Sequence, residues 1–173
     1  VTFTNKAARE MLTRLQAMLP LNVRGMWVGT FHGLCNRMLR AHWKLVALPQ
    51  AFQILDTQDQ LSALKRVYKA NGIDEERLPI KPTQWFIAGC KEDGLRPNDV
   101  DARDPDTRKR VEIYALYEAQ CQREGVVDFG ELMLRSYELL RDNTALREHY
   151  QHRFSHVLVD EFQDTNRLQY AWL

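Results

Sequence analysis

The chain has 173 residues, of which 45% are hydrophobic, so it is long enough to bury a core of ordinary size. Its formal net charge of +1 gives no argument for a nucleic-acid or membrane partner, and its longest apolar runs are too short to span a bilayer. The three cysteines include no CxxC pair, which disfavours a zinc site or a disulfide framework and fits a reduced, cytoplasmic compartment.

The first part of the chain predicts alternating strands and helices. Residues 1–3 and 26–30 are rich in β-branched and aromatic side chains, a composition typical of strands. Residues 5–19 and 31–44 carry apolar side chains at helical spacing. Strand–helix–strand–helix order indicates part of a parallel α/β sheet.

The middle of the chain, residues 56–150, predicts helices and almost no strand. Helices are expected after Asp56, from Pro82 to about Gly94, up to Gly125, and after Asp128. Asp128 and Glu131 resemble a capping box, so their simplest role is to cap a helix. A shared core is predicted for the helical part of the chain, formed by Trp43, Leu61, Leu64, Tyr68, Trp85, Phe86, Tyr114, Tyr117 and Leu132.

The most specific motif is VLVDEFQDT at residues 157–165, where a buried strand is predicted to run into a helix. Such a strand would bring Asp160 and Glu161 to its carboxyl end, where parallel sheets bind ligands. Asp160 can hold Mg²⁺, and Glu161 can activate the attacking water in nucleoside triphosphate hydrolysis, with Gln163 and Asp164 supporting them. The alternative is that the three carboxylates only cap the following helix.

This string resembles motif II of the UvrD/Rep/PcrA group of superfamily 1 helicases. TFTNKAAREM at residues 2–11 resembles motif Ia of that family, and GTFHGLCNRML at residues 29–39 resembles its next DNA-contacting motif. VDFGELM at residues 127–133 resembles the segment that precedes the family's return to its motor core. The resemblance covers the whole chain, in the expected order.

The resemblance implies an ATP-dependent 3′-to-5′ DNA helicase that translocates on single-stranded DNA and unwinds duplex in DNA repair. ATP and Mg²⁺ would be its cofactors, and its partners would be single-stranded DNA, single-strand/duplex junctions and repair proteins. The implied fold is mainly α, with a helical insert (domain 1B, residues 33–154) between fragments of a RecA-like parallel sheet (residues 1–32 and 155–173).

Two predicted helix starts carry the candidate DNA contacts. An aromatic ring can stack on an unpaired base, and a helix N-terminus with nearby hydroxyls and cations suits phosphate. The candidates are Phe3, Thr4, Asn5, Lys6, Thr30, His32, Arg37 and Arg40. For the aromatic ring the alternative is a core position, for the histidine a structural role, and for the arginines a solvated helix face.

The chain contains no GxxxxGK[ST] loop to cradle the β- and γ-phosphates, and it begins with Val. We therefore expect a cut through a longer helicase that does not hydrolyse ATP by itself. Alternatives are a stand-alone helical module that binds DNA or a partner, and a helicase subunit of a recombination nuclease. A metal nuclease using Asp160, Glu161 and Asp164 is disfavoured, because nuclease carboxylates usually converge from several segments.

Overall fold

The computed structural model describes residues 1–20 and 22–173. The helices are α1 (Asn5–Met18), α2 (Phe31–Ala41), α3 (Thr57–Ala70), α4 (Ile80–Glu92), α5 (Pro105–Glu124), α6 (Phe129–Asp142), α7 (Thr144–Arg153) and α8 (Arg167–Trp172). Two strands, β1 (Gln53–Leu55) and β2 (Val126–Asp128), pair in parallel. Short 3₁₀ turns lie at Val23–Gly25, Pro97–Asp99 and Phe162–Asp164. The described chain is mainly helical, with a small parallel sheet.

Side-chain caps and one left-handed glycine explain several helix ends. The carboxylates of Asp56 and Asp128 accept the backbone N–H groups of Asp59 and Glu131 at the first turns of α3 and α6. Gly125 ends α5 with φ of 66°, a conformation that side-chain-bearing residues rarely adopt. These two predicted helix starts and this predicted helix end are confirmed.

Other predicted boundaries are wrong by a few residues. α2 ends at Ala41 rather than residue 44, with His42 as its cap. α4 begins at Ile80, because Pro82 lies in its first turn, where a missing N–H group costs no helical hydrogen bond. α8 begins after Asn166 rather than at Thr165. Helix α7 was not predicted.

The prediction of almost no strand in residues 56–150 is confirmed for the described chain, since β2 is the one strand there and pairs with β1 in the register Gln53↔Val126. The other strand predictions are wrong. Residues 1–3 and 26–30 form no ladder and meet in a single parallel bridge between Thr2 and Thr30. Residues 156–159 are irregular rather than a buried strand, because their backbone groups find only isolated partners and Leu158 is 83% exposed.

The buried residues form two clusters. One joins α2, α6 and α7 to both ends of the chain, and the other fills the space between α3, α4 and α5. Four of the predicted core residues are buried in the second cluster: Leu64, Tyr68, Tyr114 and Tyr117. Leu61 and Phe86 are partly buried against that cluster, whereas Leu132 belongs to the first and Trp43 is half-buried.

The core assignment of Trp85 is wrong, because its side chain is 68% exposed. α4 turns Ile80, Gln84, Ile87 and Lys91 inward, a spacing that defines one face of a helix. Trp85 lies off that face. Among the described residues, no helix combines the length and apolar character needed to cross a bilayer.

Candidate functional site

The two ends of the chain meet at the predicted acidic motif. The backbone N–H of Asp160 donates to the carbonyl oxygen of Val1 at 2.9 Å, and the amino group of Val1 donates to the carbonyl of Leu158 at 2.6 Å. The hydroxyl of Thr2, which is 1% exposed, donates to Oδ2 of Asp160 at 3.4 Å. Residues 1–3 therefore lie beside residues 158–160.

Thr2 also ties this junction to the second predicted DNA-contacting motif. Its backbone N–H donates to the carbonyl of Gly29 at 3.0 Å, and its own carbonyl accepts the N–H of Phe31 at 3.2 Å. Residues 2, 30 and 160 are thereby held within one local network of hydrogen bonds. The starts of α1 and α2 follow directly from it.

Asp160 and Glu161 are both solvent-exposed and do not cap the following helix. Asn166 caps α8 instead, since its side chain accepts the N–H of Gln169 at 2.8 Å and its own backbone N–H donates to Oε1 of Gln169 at 3.0 Å. The alternative reading of the acidic residues as helix caps is therefore excluded. Asp164 is likewise exposed.

The backbone at Glu161 is in the left-handed region, with φ of 53°. For a residue with a side chain this conformation costs about 1–3 kcal/mol and recurs at functional sites. The amide of Gln163 donates to Oε2 of Glu161, and the N–H of Asp164 donates to the Glu161 carbonyl at 2.9 Å. Gln163 therefore orients the carboxylate that the sequence predicts to act on water.

No group of three or more His, Cys, Asp or Glu side chains in the described part of the chain forms a ready metal cage. Mg²⁺ in phosphate-transfer sites commonly takes only one or two protein carboxylates and completes its octahedron with phosphates and waters. The exposed carboxylate of Asp160, with the Thr2 hydroxyl beside it, fits the ligands that the protein contributes to such a site.

The predicted phosphate contacts lie at two capped helix starts. The hydroxyl of Thr4 accepts the N–H of Ala7 at 3.1 Å, and the hydroxyl of Thr30 accepts the N–H of Gly33 at 3.1 Å. Neither α1 nor α2 has an acidic residue in its first turn, so nothing there offsets the positive end of the helix dipole. Thr4, Asn5 and Lys6 are exposed, whereas Thr30 is buried.

Phe3 is half-buried, and its ring lies 5.3 Å from that of Phe31 in a tilted arrangement. Phe31 is 1% exposed and also contacts Trp172, so it packs in the core. One part of the Phe3 ring thus rests on the first core cluster while the remainder meets solvent.

His32 is half-buried, and desolvation lowers the pKa of its imidazole, which favours the neutral ring. Its ring meets that of Phe129 edge-on, with centroids 5.8 Å apart. Phe129 is 46% exposed, which is unusual for a residue that opens a helix beside a core. The sequence analysis did not single out Phe129, although it lies within the motif VDFGELM.

Arg37 and Arg40 are exposed on α2 but rest on different aromatic rings. The guanidinium of Arg37 lies 4.6 Å from the centroid of Trp27, and that of Arg40 lies 3.8 Å from the centroid of Phe52. Arg40 also donates to the carbonyl of Gln50 at 3.3 Å. Both cations are therefore oriented along the helix surface rather than free in solvent.

A buried charge cluster behind Phe129 was missed by the sequence analysis. Nζ of Lys91 lies 2.9 Å from Oδ2 of Asp128 and 2.9 Å from Oε2 of Glu131. Arg96 binds both oxygens of Glu131 at 2.9 Å, and Arg135 binds Oε1 of Glu131 at 2.7 Å. Asp128 and Glu131 are thus more than helix caps.

The charges in this cluster reinforce one another. Burial alone would lower the pKa of Lys91, but the carboxylates of Asp128 and Glu131 outweigh it and raise that pKa. Burial alone would raise the pKa of Glu131, but Lys91, Arg96 and Arg135 outweigh it and hold that pKa well below its usual value. Lys91 and Glu131 therefore both remain ionised, and their pairing fixes the first turn of α6.

Comparison with known families matches residues 1–173 to the family described as UvrD/REP helicase N-terminal domain. The match spans the acidic motif, both helix starts and the helices between them, which together define one portion of an SF1 helicase. The chain belongs to this family.

Individual relatives agree with this assignment. The chain is 49% identical to DNA helicase II of Haemophilus influenzae and 48% identical to DNA helicase II of Escherichia coli, with 100% of the chain covered in both. It is 38% identical to the ATP-dependent DNA helicase PcrA of Leuconostoc citreum over 99% of its length. The chain spans only 24% of the two DNA helicase II sequences and 23% of that PcrA.

Proposed function

We propose that this chain is the part of an ATP-dependent DNA helicase that carries the motif II carboxylates and one DNA-contacting surface. The observation that carries the proposal is the Thr2–Asp160 hydrogen bond. It joins the residue that precedes Phe3 to the predicted magnesium ligand. A change at the nucleotide side can therefore reach the DNA side through a single bonded pair.

In this proposal Asp160 would hold Mg²⁺ and Glu161 would accept a proton from the attacking water. Bound ATP would supply the phosphoryl group, and Mg²⁺ would neutralise its charge. Two observations support this assignment. Both carboxylates are exposed and neither serves as a helix cap, so they are free to bind a ligand. The left-handed backbone at Glu161 is a conformation that recurs at functional sites. The sequence holds no GxxxxGK[ST] loop, so we propose that the chain alone does not hydrolyse ATP.

On the DNA side, the proposed contacts follow the surface of α1 and α2. The exposed Thr4, Asn5 and Lys6 and the N–H groups of the two helix starts would hold phosphates, while Phe3 stacks on a base. The exposed Arg37 and Arg40 would add electrostatic attraction. His32, being neutral, would act as a hydrogen-bonding group, and the buried Thr30 would act by capping α2.

The family resemblance extends the proposal to the whole protein. It would translocate 3′-to-5′ on single-stranded DNA, unwind duplex at single-strand/duplex junctions and take part in DNA repair with protein partners in the cytoplasm. The proposed domain arrangement assigns residues 1–32 and 155–173 to a RecA-like motor domain and residues 33–154 to the insert called domain 1B.

A second candidate function is a stand-alone binding module. It is supported by the second core cluster, in which α3, α4 and α5 bury their own apolar residues. A soluble fragment of residues 33–154 that is helical and binds DNA without nucleotide would favour the module over the motor.

A salt series with a labelled oligonucleotide tests the DNA surface directly. Two to four phosphate contacts predict a slope of log affinity against log salt of roughly −1.5 to −3, since each contact on a single strand contributes about −0.7. Lys6→Ala should make the slope less steep, whereas Lys109→Ala, which removes an exposed cation paired with Glu112, should leave it unchanged. Binding that ignores salt, or strongly prefers one sequence, would contradict the proposed contacts.

A further inference from the structure

Trp85 is a large aromatic side chain that the fold leaves in solvent. It is 68% exposed, although Gln84 beside it is 6% exposed and Ile87 is fully buried. Trp is among the residues that bury most surface and dominate interfaces, but single exposed apolar side chains are common on protein surfaces, so the surroundings of the ring decide whether it marks a site.

The ring of Trp85 lines a cavity of about 480 Å³ that reaches the proposed DNA surface. Phe129 and His32 line the same cavity, and their rings meet edge-on with centroids 5.8 Å apart. A volume within the ~300–1,000 Å³ typical of ligand sites, with exposed aromatic rings from two different helices, suits a flat group held by stacking. The cavity therefore links α4 to the start of α2.

The charges around the cavity select against phosphate. Asp56 and Glu92 line the cavity and are exposed, whereas the charge of Asp128 is compensated by its ion pair with Lys91. Burial lowers the pKa of His32 and so favours its neutral form. A phosphate entering this space would meet negative charge without a free cation among its lining residues, whereas a neutral base would meet aromatic faces and hydrogen-bonding groups.

We infer that Trp85 binds an unpaired base of single-stranded DNA, which enters the cavity while its phosphates remain on the outer surface. This inference rests on the proposed function, because the cavity is continuous with His32 at the DNA-facing start of α2. It extends the DNA contacts from the α1 and α2 surface onto α4. Base stacking is tolerant of sequence, so the contact requires no particular nucleotide.

The test uses the full-length protein containing this chain and an oligo(dT) strand. Trp85→Ala should weaken binding about five- to 150-fold, the equivalent of ~1–3 kcal/mol for one stacked base. Trp85→Phe should retain most of the affinity, because a smaller aromatic face remains. Trp43→Ala is the matched control, since Trp43 is half-buried beside Lys44 and does not line the cavity.

Photo-crosslinking with a 5-iodouracil-substituted strand gives a second readout that a general loss of folding would not produce. A cross-link mapped to Trp85 by mass spectrometry, and absent at this position in Trp85→Ala, supports the inference. Unchanged affinity of Trp85→Ala together with no cross-link at Trp85 overturns it and leaves the helicase proposal standing. Absence of DNA binding by the unsubstituted protein overturns both.

Binding of an arginine-rich peptide distinguishes a protein partner from DNA as the molecule that occupies the cavity. The acidic rim formed by Asp56 and Glu92 would attract such a peptide. Loss of peptide binding in Trp85→Ala with unchanged DNA affinity would assign the cavity to a protein partner and overturn the inference. Loss of DNA affinity with no peptide binding by the unsubstituted protein supports it.

Discussion

The ammonium group of Lys91 lies 2.9 Å from Oδ2 of Asp128, and the two side chains are 3% and 5% exposed. Asp128 also accepts the hydroxyl of Tyr117 at 2.8 Å and caps α6 through Glu131. The pair therefore joins α4, α5 and α6 immediately behind Phe129. A buried pair of this kind is sensitive to loss of one partner, because the remaining charge is left without compensation.

Lys91→Met should lower the free energy of unfolding of the chain by about 3–5 kcal/mol, since Asp128 and Glu131 would lose their shared cation. Lys109→Met is the matched control, because its pair with Glu112 is exposed and should contribute less than about 1 kcal/mol. Urea unfolding followed by circular dichroism measures both. Equal losses in the two variants would show that the buried cluster contributes nothing special.

The same cluster predicts a loss of stability in acid. The folded-state pKa of Glu131 lies well below its ordinary value of 4.5, because Lys91, Arg96 and Arg135 outweigh the effect of burial. The stability that it contributes is fully present above the unfolded pKa and is lost as pH falls below it towards the folded pKa. Unfolding free energy should therefore fall between about pH 5 and pH 3.

Glu131→Gln provides the comparison for that pH dependence. It should be less stable than the unsubstituted chain at pH 7, yet its stability should decline less steeply from pH 5 to pH 3, because the glutamine carries no proton-linked charge. Urea midpoints collected at each pH give the two curves. Parallel curves would show that Glu131 is not the group that governs the acid response.

The turn between α5 and β2 depends on a glycine for two reasons. Gly125 has φ of 66°, and a Cβ atom there would lie 2.7 Å from Cγ of Pro49. Gly125→Ala should therefore destabilise the chain by about 2–4 kcal/mol, combining a left-handed backbone with an overpacked contact. Gly72→Ala, at φ of 60° with no neighbour within 4 Å, should cost only the backbone part, about 1–2 kcal/mol. Equal decreases in the melting temperatures of Gly125→Ala and Gly72→Ala would show that the contact with Pro49 adds nothing to the cost.

Local features were predictable from the sequence, whereas features that join distant residues were not. Capping by Asp56 and Asp128 and the end of α5 at Gly125 follow from residue types and short spacings. By contrast, Lys91 and Asp128 are 37 residues apart, and neither has a local pattern that indicates the other.

The errors have the same physical origin. Trp85 was assigned to the core because it is large and apolar, but the side of α4 that faces the core is decided by Ile80, Gln84 and Ile87. β1 and β2 are three residues each and pair in parallel across the whole of α3, α4 and α5, so no hairpin turn signals them. Residues 156–159 have strand composition, yet strand formation requires hydrogen-bonding neighbours that composition does not supply.

The central proposal is that this chain supplies the water-activating carboxylate of a DNA-stimulated ATPase. DNA-stimulated ATP hydrolysis by the full-length protein carrying Glu161→Gln tests it most directly. The account predicts retained binding of ATP and Mg²⁺ with turnover lowered about 10²- to 10⁴-fold, the usual contribution of a general base. Hydrolysis at the rate of the unsubstituted protein would contradict it.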